Sequence, residues 1–284
     1  MSPGPLHGVV YGHGHMGQLH ATKLRQRPEL SLEIVDPAQG RARTSTQALD
    51  FAIIATPTHA HSAIALPLLE QGVPCLVEKP LAATLAEARQ LAVHSHLSVG
   101  HIERFNPVLR PLTDAAIGFV DIQRLAPTTV RSDDIDVIGD LMIHDLDLLL
   151  KLTGRPAVDV RAKGVGIRGD LPDMVSARIE WDIGDGQVGV ANLTASRVSP
   201  EIVRTWRVFA PGQYWSLDLH RRQAKTRQWS TAHTDTLEVP DIDPLTAEHD
   251  AFLGAVRGEN QFQCTGHEAV AVLELAERIR SCLR

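Results

Sequence analysis

Six residues constrain this chain more than any others. Gly12-His13-Gly14-His15-Met16-Gly17 lie between a short apolar run and a segment with helical spacing. Residues 8–11 read as a buried strand and 18–26 as a helix. A second apolar run, 32–35, ends in Asp36. Strand, G-x-G-x-x-G, helix, strand, acid is the order of a dinucleotide-binding fingerprint. Gly12 permits the tight turn, Gly14 lets the backbone approach a pyrophosphate, and Gly17 lets the helix lie close to the sheet. The helix N-terminus offers N–H groups and a partial positive charge to phosphates. Asp36 is placed to accept hydrogen bonds from an adenosine ribose. The whole turn, with His13, His15 and Met16, is therefore a candidate cofactor contact.

The first third continues in the same rhythm. Residues 51–57 are an apolar run stopped by Pro57, 62–71 have helical spacing and end at Gly72, and 75–78 form another strand. A helix over 85–92 and a strand over 97–101 follow. Alternating strands and helices predict a doubly wound parallel sheet. Ligands bind at the carboxyl ends of such strands, which here carry Gly12, Asp36, Thr56, Glu78-Lys79-Pro80 and His101. The stretch from Asp36 to Phe51 is short for a crossover, so its helix should be stunted or missing.

After about residue 106 the period changes. Val175, Ala177, Ile179, Trp181 and Ile183 alternate with Ser176, Arg178, Glu180 and Asp182, as on a half-buried strand. Gly184-Asp185-Gly186 marks a hairpin turn and 187–195 a returning strand. Residues 119–124, 158–167, 205–210 and 214–219 add strands, and helices over 246–257 and 268–282 close the chain. The expected fold class is α/β: a dinucleotide-binding domain over 1–106 and a second domain over 107–284 with an open, mostly antiparallel sheet.

Composition removes several classes of function. Hydrophobic residues make up 43% of the 284, enough for a well-formed core. A net charge of −6 with no basic block argues against nucleic acid. No apolar run is long enough to span a bilayer, and the N-terminus carries no secretory pattern. Three widely spaced cysteines fit reduced thiols in a cytoplasmic protein. Fourteen histidines raise the question of a metal, but they lack convergent cysteine or carboxylate spacing, so none is expected.

One later segment could carry chemistry. Residues 140–152, DLMIHDLDLLLKL, are apolar almost all round, as in a buried helix. Asp140, His144 and Asp147 nevertheless follow at i, i+4 and i+7, forming one polar stripe that needs partners. Hydride transfer from an alcohol needs a base near the hydroxyl and a group to steady the developing alkoxide. His144 is the candidate base, with Asp140 to orient it or hold substrate, and Lys79 is the candidate cation. On the helix alone, Asp140 as an N-cap and His144 as a core histidine fit equally well.

The motifs GHGHMGQLH (12–20), ATPTHAH (55–61), EKPLA (78–82), the Asp140/His144/Asp147 stripe and PLTAEHDAFLGAVRG (244–258) resemble the glucose-fructose oxidoreductase/inositol dehydrogenase (Gfo/Idh/MocA-type) family of nicotinamide-dependent sugar oxidoreductases. Their order and separations fit over essentially the whole chain. The resemblance implies a Rossmann domain followed by an α/β domain whose open sheet commonly forms the subunit interface, hence a homo-oligomer, dimer or tetramer. It gives Lys79 and His144 catalytic roles and has Asp140 contact sugar hydroxyls. It sets Thr56, Pro57, His61, Glu78 and Lys79 at the cofactor.

A narrower likeness lies in VGHIERFNPV (99–108), RLAPTTVRSDDIDVIGDLMIHDLDLLL (124–150) and TASRVSPEIVR (194–204). These are similar to a bacterial branch found with lipid A genes, the UDP-N-acetylglucosamine 3-dehydrogenase-like branch, which implies oxidation of a sugar 3-hydroxyl. Arg104, Asn106, Arg131 and Arg197 then become candidates for the sugar or its diphosphate, since a guanidinium donates paired hydrogen bonds to phosphate. Arg41 and Arg43 could accept a 2′-phosphate and admit NADP, but Asp36 would repel it, so NAD is expected. Competing readings are a non-catalytic NAD(P)-binding sensor of the same fold, a dehydrogenase of free sugar or inositol, and a tetrapyrrole reductase.

Overall fold

The computed structural model describes residues 5–43, 45–128, 135–169, 171–231 and 233–283. The chain divides into two compact units. One holds the residues up to Phe105 together with Asp243–Val270, the other Asn106–Ile242 together with the residues from Ala271 onward.

The first unit is built on β1 (Leu6–Tyr11), α1 (His15–Leu24), β2 (Leu30–Val35), β3 (Phe51–Ile54), α2 (His61–Glu70), β4 (Cys75–Glu78), α3 (Leu85–Ala92) and β5 (Leu97–Gly100). Its five strands are parallel, in the order β2-β1-β3-β4-β5. All four residues of β3 are fully buried, as expected of a parallel strand covered on both faces. Gly8 makes room for one of them, because a Cβ there would lie 2.0 Å from the Phe51 ring. Among the described residues of the β2–β3 crossover there is a 3₁₀ turn, Pro37–Gln39, and no α-helix, in keeping with the stunted or missing helix expected there. Strand order reverses between β1 and β3, and that switch point opens the ligand crevice of such sheets.

The second unit carries β6 (Phe119–Leu125), a π-helical turn (Ile138–Met142), α4 (Ile143–Thr153), β7 (Ala157–Val165), β8 (Met174–Gly184), β9 (Gln187–Ser196), β10 (Val203–Ala210), β11 (Gln213–Asp218), β12 (Gln223–Gln228) and β13 (Thr234–Leu237). They form an eight-stranded sheet in the order β13-β12-β11-β10-β6-β9-β8-β7. Every neighbouring pair is antiparallel except β6–β9, which is parallel. Val175, Ala177, Ile179 and Trp181 face the core, packed with Leu193, Trp206 and the α4 residues Leu146 and Leu149. Ile183 departs from the expected alternation and is exposed. The β8–β9 register slips after Asp182, at the hairpin turn, and releases it from the inward face. The strands β12 and β13 were not expected, since QAKTRQ and TDTL carry almost no apolar alternation.

Two helices end the chain, α5 (Pro244–Val256) and α6 (Gly266–Cys282). The division at Phe105/Asn106 lies one residue from the expected boundary, but Asp243–Val270, and with it α5, group with the first unit and not with the rest of 107–284. Phe252 and Leu253 complete a core cluster with Val10, Leu24, Phe51, Ile53 and Leu76. A change of hydrophobic period marks where a chain leaves a domain but not where it returns.

Candidate functional site

In the first unit the expected cofactor residues gather at the carboxyl ends of the strands. Gly12 has φ +90°, and a Cβ on it would lie 2.5 Å from the Ala55 carbonyl oxygen. A Cβ on Gly17 would lie 2.0 Å from the Gly12 oxygen. These two glycines are thus required by packing within the chain. Gly14 differs: a Cβ there would meet nothing within 4 Å. It also sits at the N-cap of α1, with no side-chain cap and no acidic residue in the first turn. Open space before a bare helix N-terminus suits an anionic phosphate. Thr56 Oγ1, at the end of β3, is buried and has no hydrogen-bond partner among the described residues. The turn, the helix end and the orphaned hydroxyl together fit a dinucleotide.

Asp36 has a structural partner too. The backbone N–H of His13 donates to its Oδ2 at 2.7 Å, and Gln39 Nε2 donates to the His13 carbonyl. The carboxylate therefore pins the glycine turn to the end of β2. Arg43 lies 3.7 Å from Glu33, which takes it up on the protein's own surface. His15 is exposed, and His13 and Met16 are half-buried.

His61 corrects the sequence expectation. It is 1% exposed, and its two ring nitrogens face backbone carbonyls, Nε2 to Thr56 at 2.9 Å and Nδ1 to Pro80 at 3.0 Å. It is a strap between the loops after β3 and β4, not a group presented to a ligand. Burial lowers its pKa, opposed by those carbonyls. Pro57 is exposed on the first of these loops and Lys79 half-buried on the second.

Glu78 is buried at the end of β4, and its Oε1 lies 2.9 Å from His20 Nε2. A Cβ at Gly100 would come within 3.0 Å of its carboxyl group, so that glycine gives it room. His20 Nδ1 lies 2.7 Å from His249 Nε2. Glu248 and His249 were not anticipated as functional residues. The signal was present: Leu245, Glu248, His249 and Phe252 repeat at i, i+3, i+4 and i+7, which puts two polar groups on the buried face of α5.

In the second unit Asp140 falls within the π turn, and His144 and Asp147 on α4. Asp140 and His144 are half-buried and Asp147 is fully buried. Asp140 is not the N-cap. That function falls to Asp136, whose Oδ1 accepts the Gly139 N–H at 2.8 Å. Burial raises the Asp136 pKa, but the bidentate Arg280 guanidinium (2.6 and 2.9 Å) outweighs it and holds the carboxyl below its usual range. Wide π turns are concentrated at functional positions.

The phosphate candidates have framework partners. Arg104 pairs with Glu268 at 2.9 Å in the first unit. Asn106 Oδ1 accepts the Val108 N–H, and its Nδ2 donates to the Leu219 carbonyl. Arg197 donates to Asp173 at 2.9 Å and to the Ile135 carbonyl at 2.8 Å. Arg131 lies outside the described residues. Sequence reading also missed Asp145, hidden in the apolar run of α4. Arg124 grips it through Nε (2.6 Å) and Nη2 (3.0 Å), and Trp206 Nε1 donates to it at 2.9 Å. Burial of the inward β6 positions Val120, Ile122 and Arg124 is the trace that a countercharge was needed.

Comparison with known proteins places these features in context. The sequence model of an oxidoreductase family with an NAD-binding Rossmann fold matches residues 42–96. UDP-N-acetylglucosamine 3-dehydrogenase from Acidithiobacillus ferrooxidans is 36% identical over 301 residues, covering 95% of each chain. A solved structure of that name superposes with a TM-score of 0.88 at 35% identity, over 98% of this chain and 97% of the other. A myo-inositol dehydrogenase from Streptomyces leeuwenhoekii is 32% identical over 68% of this chain and 70% of its own. A myo-inositol dehydrogenase structure from Corynebacterium glutamicum shares the fold, with a TM-score of 0.79 at 20% identity over 98% and 96% of the two chains.

Proposed function

Since this chain belongs to the Gfo/Idh/MocA family of NAD-binding oxidoreductases, we propose that it oxidises the 3-hydroxyl of a nucleotide sugar, UDP-N-acetylglucosamine. Similarity over 95% of both chains to an enzyme of that name is the observation that supports this substrate most. Gly12, Gly14 and Gly17 with the α1 N-terminus hold the pyrophosphate, and Asp36 the adenosine ribose, which favours NAD over NADP. Thr56 and Pro57 would line the nicotinamide end of the cofactor, which would supply a hydride acceptor when bound. His144 takes the hydroxyl proton, with Asp140 orienting the sugar. Lys79 stabilises the developing alkoxide charge.

The test is formation of NADH from NAD, or NADPH from NADP, with UDP-N-acetylglucosamine, UDP-glucose, N-acetylglucosamine and myo-inositol. The expected result is turnover with the UDP-amino sugar and NAD far above every other pair. Turnover only with inositol or a free sugar would overturn the substrate assignment.

No helix among the described residues is long and apolar enough to cross a membrane, and Cys75, Cys264 and Cys282 are free thiols. Both support work in the cytoplasm. The sheet of the second unit exposes Val158, Val165, Met174 and Val188, which supports a homo-oligomer joined through that sheet. Light scattering is expected to give the mass of a dimer or tetramer, and a monomer at working concentration would remove this part.

A further inference from the structure

No role assigned above uses Glu248 or His249, yet both are buried beside Glu78, inside the first unit. Burial and then the neighbouring His20 push the His249 pKa down to about 2, so its ring is neutral and carries one proton. His249 Nδ1 has no partner among the described residues, whereas Nε2 faces His20 Nδ1. His20 thus links His249 to Glu78, its Nδ1 2.7 Å from His249 Nε2 and its Nε2 2.9 Å from Glu78 Oε1, and the Lys79 N–H donates to Glu78 Oε2 at 3.3 Å. Both Glu78 oxygens have partners, as suits an ionised carboxylate.

Glu248 stands apart from this chain of partners. It is 2% exposed, and neither of its oxygens has a hydrogen-bond partner among the described residues. One of them lies within 4.8 Å of the ligand atoms of His20 and Glu78. A small cavity on Glu248 is lined mainly by apolar groups, among them Leu76, Val99, Phe105 and Phe252. The nearest cations on α1 are taken up elsewhere, Lys23 by Asp243 and Arg27 by Asp250. Around Glu248 lie His20 from α1, the Glu78 carboxyl from β4 and, at the cavity, Ser98, Gln263 and Cys264. The 102–105 turn that packs on α5 adds the buried Glu103, and Arg104, which is paired with Glu268. A second buried charge of the same sign as Glu78 would have no compensation there.

We propose that Glu248 is a proton-bearing positioning residue: as a neutral acid it fills the space behind Glu78, so that a single carboxylate charge anchors the turn leading into Lys79. Burial and the Glu78 charge both raise its pKa, in agreement with that state. Its catalytic consequence rests on the role given to Lys79, but its protonation does not.

The sign of the linkage makes the proton measurable. In the unfolded chain Glu248 ionises near its ordinary pKa of about 4.3. Above that pH the folded chain keeps a proton that the unfolded chain has lost, so Glu248 withdraws stability as pH rises toward its folded pKa. Glu248→Gln keeps the shape and removes the titration. The melting temperature of Glu248→Gln relative to the parent is expected to rise with pH above about 4.3, toward the raised folded pKa of Glu248. A difference that stays flat or falls with pH would overturn the proposal. Infrared spectra of the parent at neutral pH should hold a protonated-carboxyl band that Glu248→Gln lacks, and its absence would do the same. Stoichiometric zinc or manganese in the purified parent, lost in Glu248→Gln, would instead make the cluster a metal centre.

The positioning role has its own readout. Glu248→Ala is expected to lower kcat several-fold with the KM for the UDP-sugar unchanged, and Glu248→Gln to restore it. Parental kcat in Glu248→Ala would refute that role. Melting and infrared need no substrate, so failure of the proposed reaction is distinguishable from failure of this inference.

Discussion

Turnover is expected to fall by about 10²–10⁴-fold when either Lys79 or His144 is replaced by alanine, the range for loss of a positioned acid–base group. The physical reason differs between the two. Lys79 follows the last residue of β4, a strand whose four residues are all buried, so its backbone is fixed before the side chain begins. In the proposed role its ammonium would counter charge that develops only in the transition state, so its loss should appear in kcat. His144 is proposed as the acceptor of the hydroxyl proton, a task an imidazole nitrogen can perform. NAD affinity, measured by calorimetry, should survive both changes, because the glycine turn and Asp36 are untouched. Near-normal turnover in both variants would remove this mechanism.

The largest effect on stability is expected at Asp145. Its side chain and that of Arg124 are each 3% exposed, and Trp206 supplies a third donor to the same carboxylate. Asp145→Ala leaves a guanidinium buried without its countercharge, which costs about 3–5 kcal/mol. Melting should fall by on the order of 10 °C. Replacing both partners together, Arg124→Met with Asp145→Leu, should recover most of that loss, since the damage comes from the stranded charge and not from a lost attraction. A single Asp145→Ala variant that melts with the parent would show that the pair contributes nothing.

Much of the first unit is legible in the sequence because its signals are local. The glycine turn, the short crossover after Asp36 and the strands ending at Ile54 and Glu78 are each fixed by residues a few positions apart. The β8–β9 hairpin is legible for the same reason, through alternation and Gly184-Asp185-Gly186. What escapes notice depends on distant partners. Arg124 and Asp145 look anomalous on their own elements and make sense only as a pair. His20 reads as part of a helix until Glu248 and His249 arrive from α5. The strands β12 and β13 depend on ladder partners more than on apolar faces. His61 shows the opposite limit: its place in a motif suggested a ligand contact, but its nitrogens are spent on the main chain. The start of the 140–152 helix was misplaced because Asp136, four residues earlier, does the capping.

The return of α5 to the first unit bears on how the polypeptide is made. Phe252 and Leu253 belong to the same apolar cluster as Val10 and Phe51, yet the ribosome reaches them only after the entire eight-stranded sheet. Domains commonly fold as units during synthesis, the earliest first. Here part of the first unit's interior stays open until a helix that follows the whole second sheet along the chain has been made.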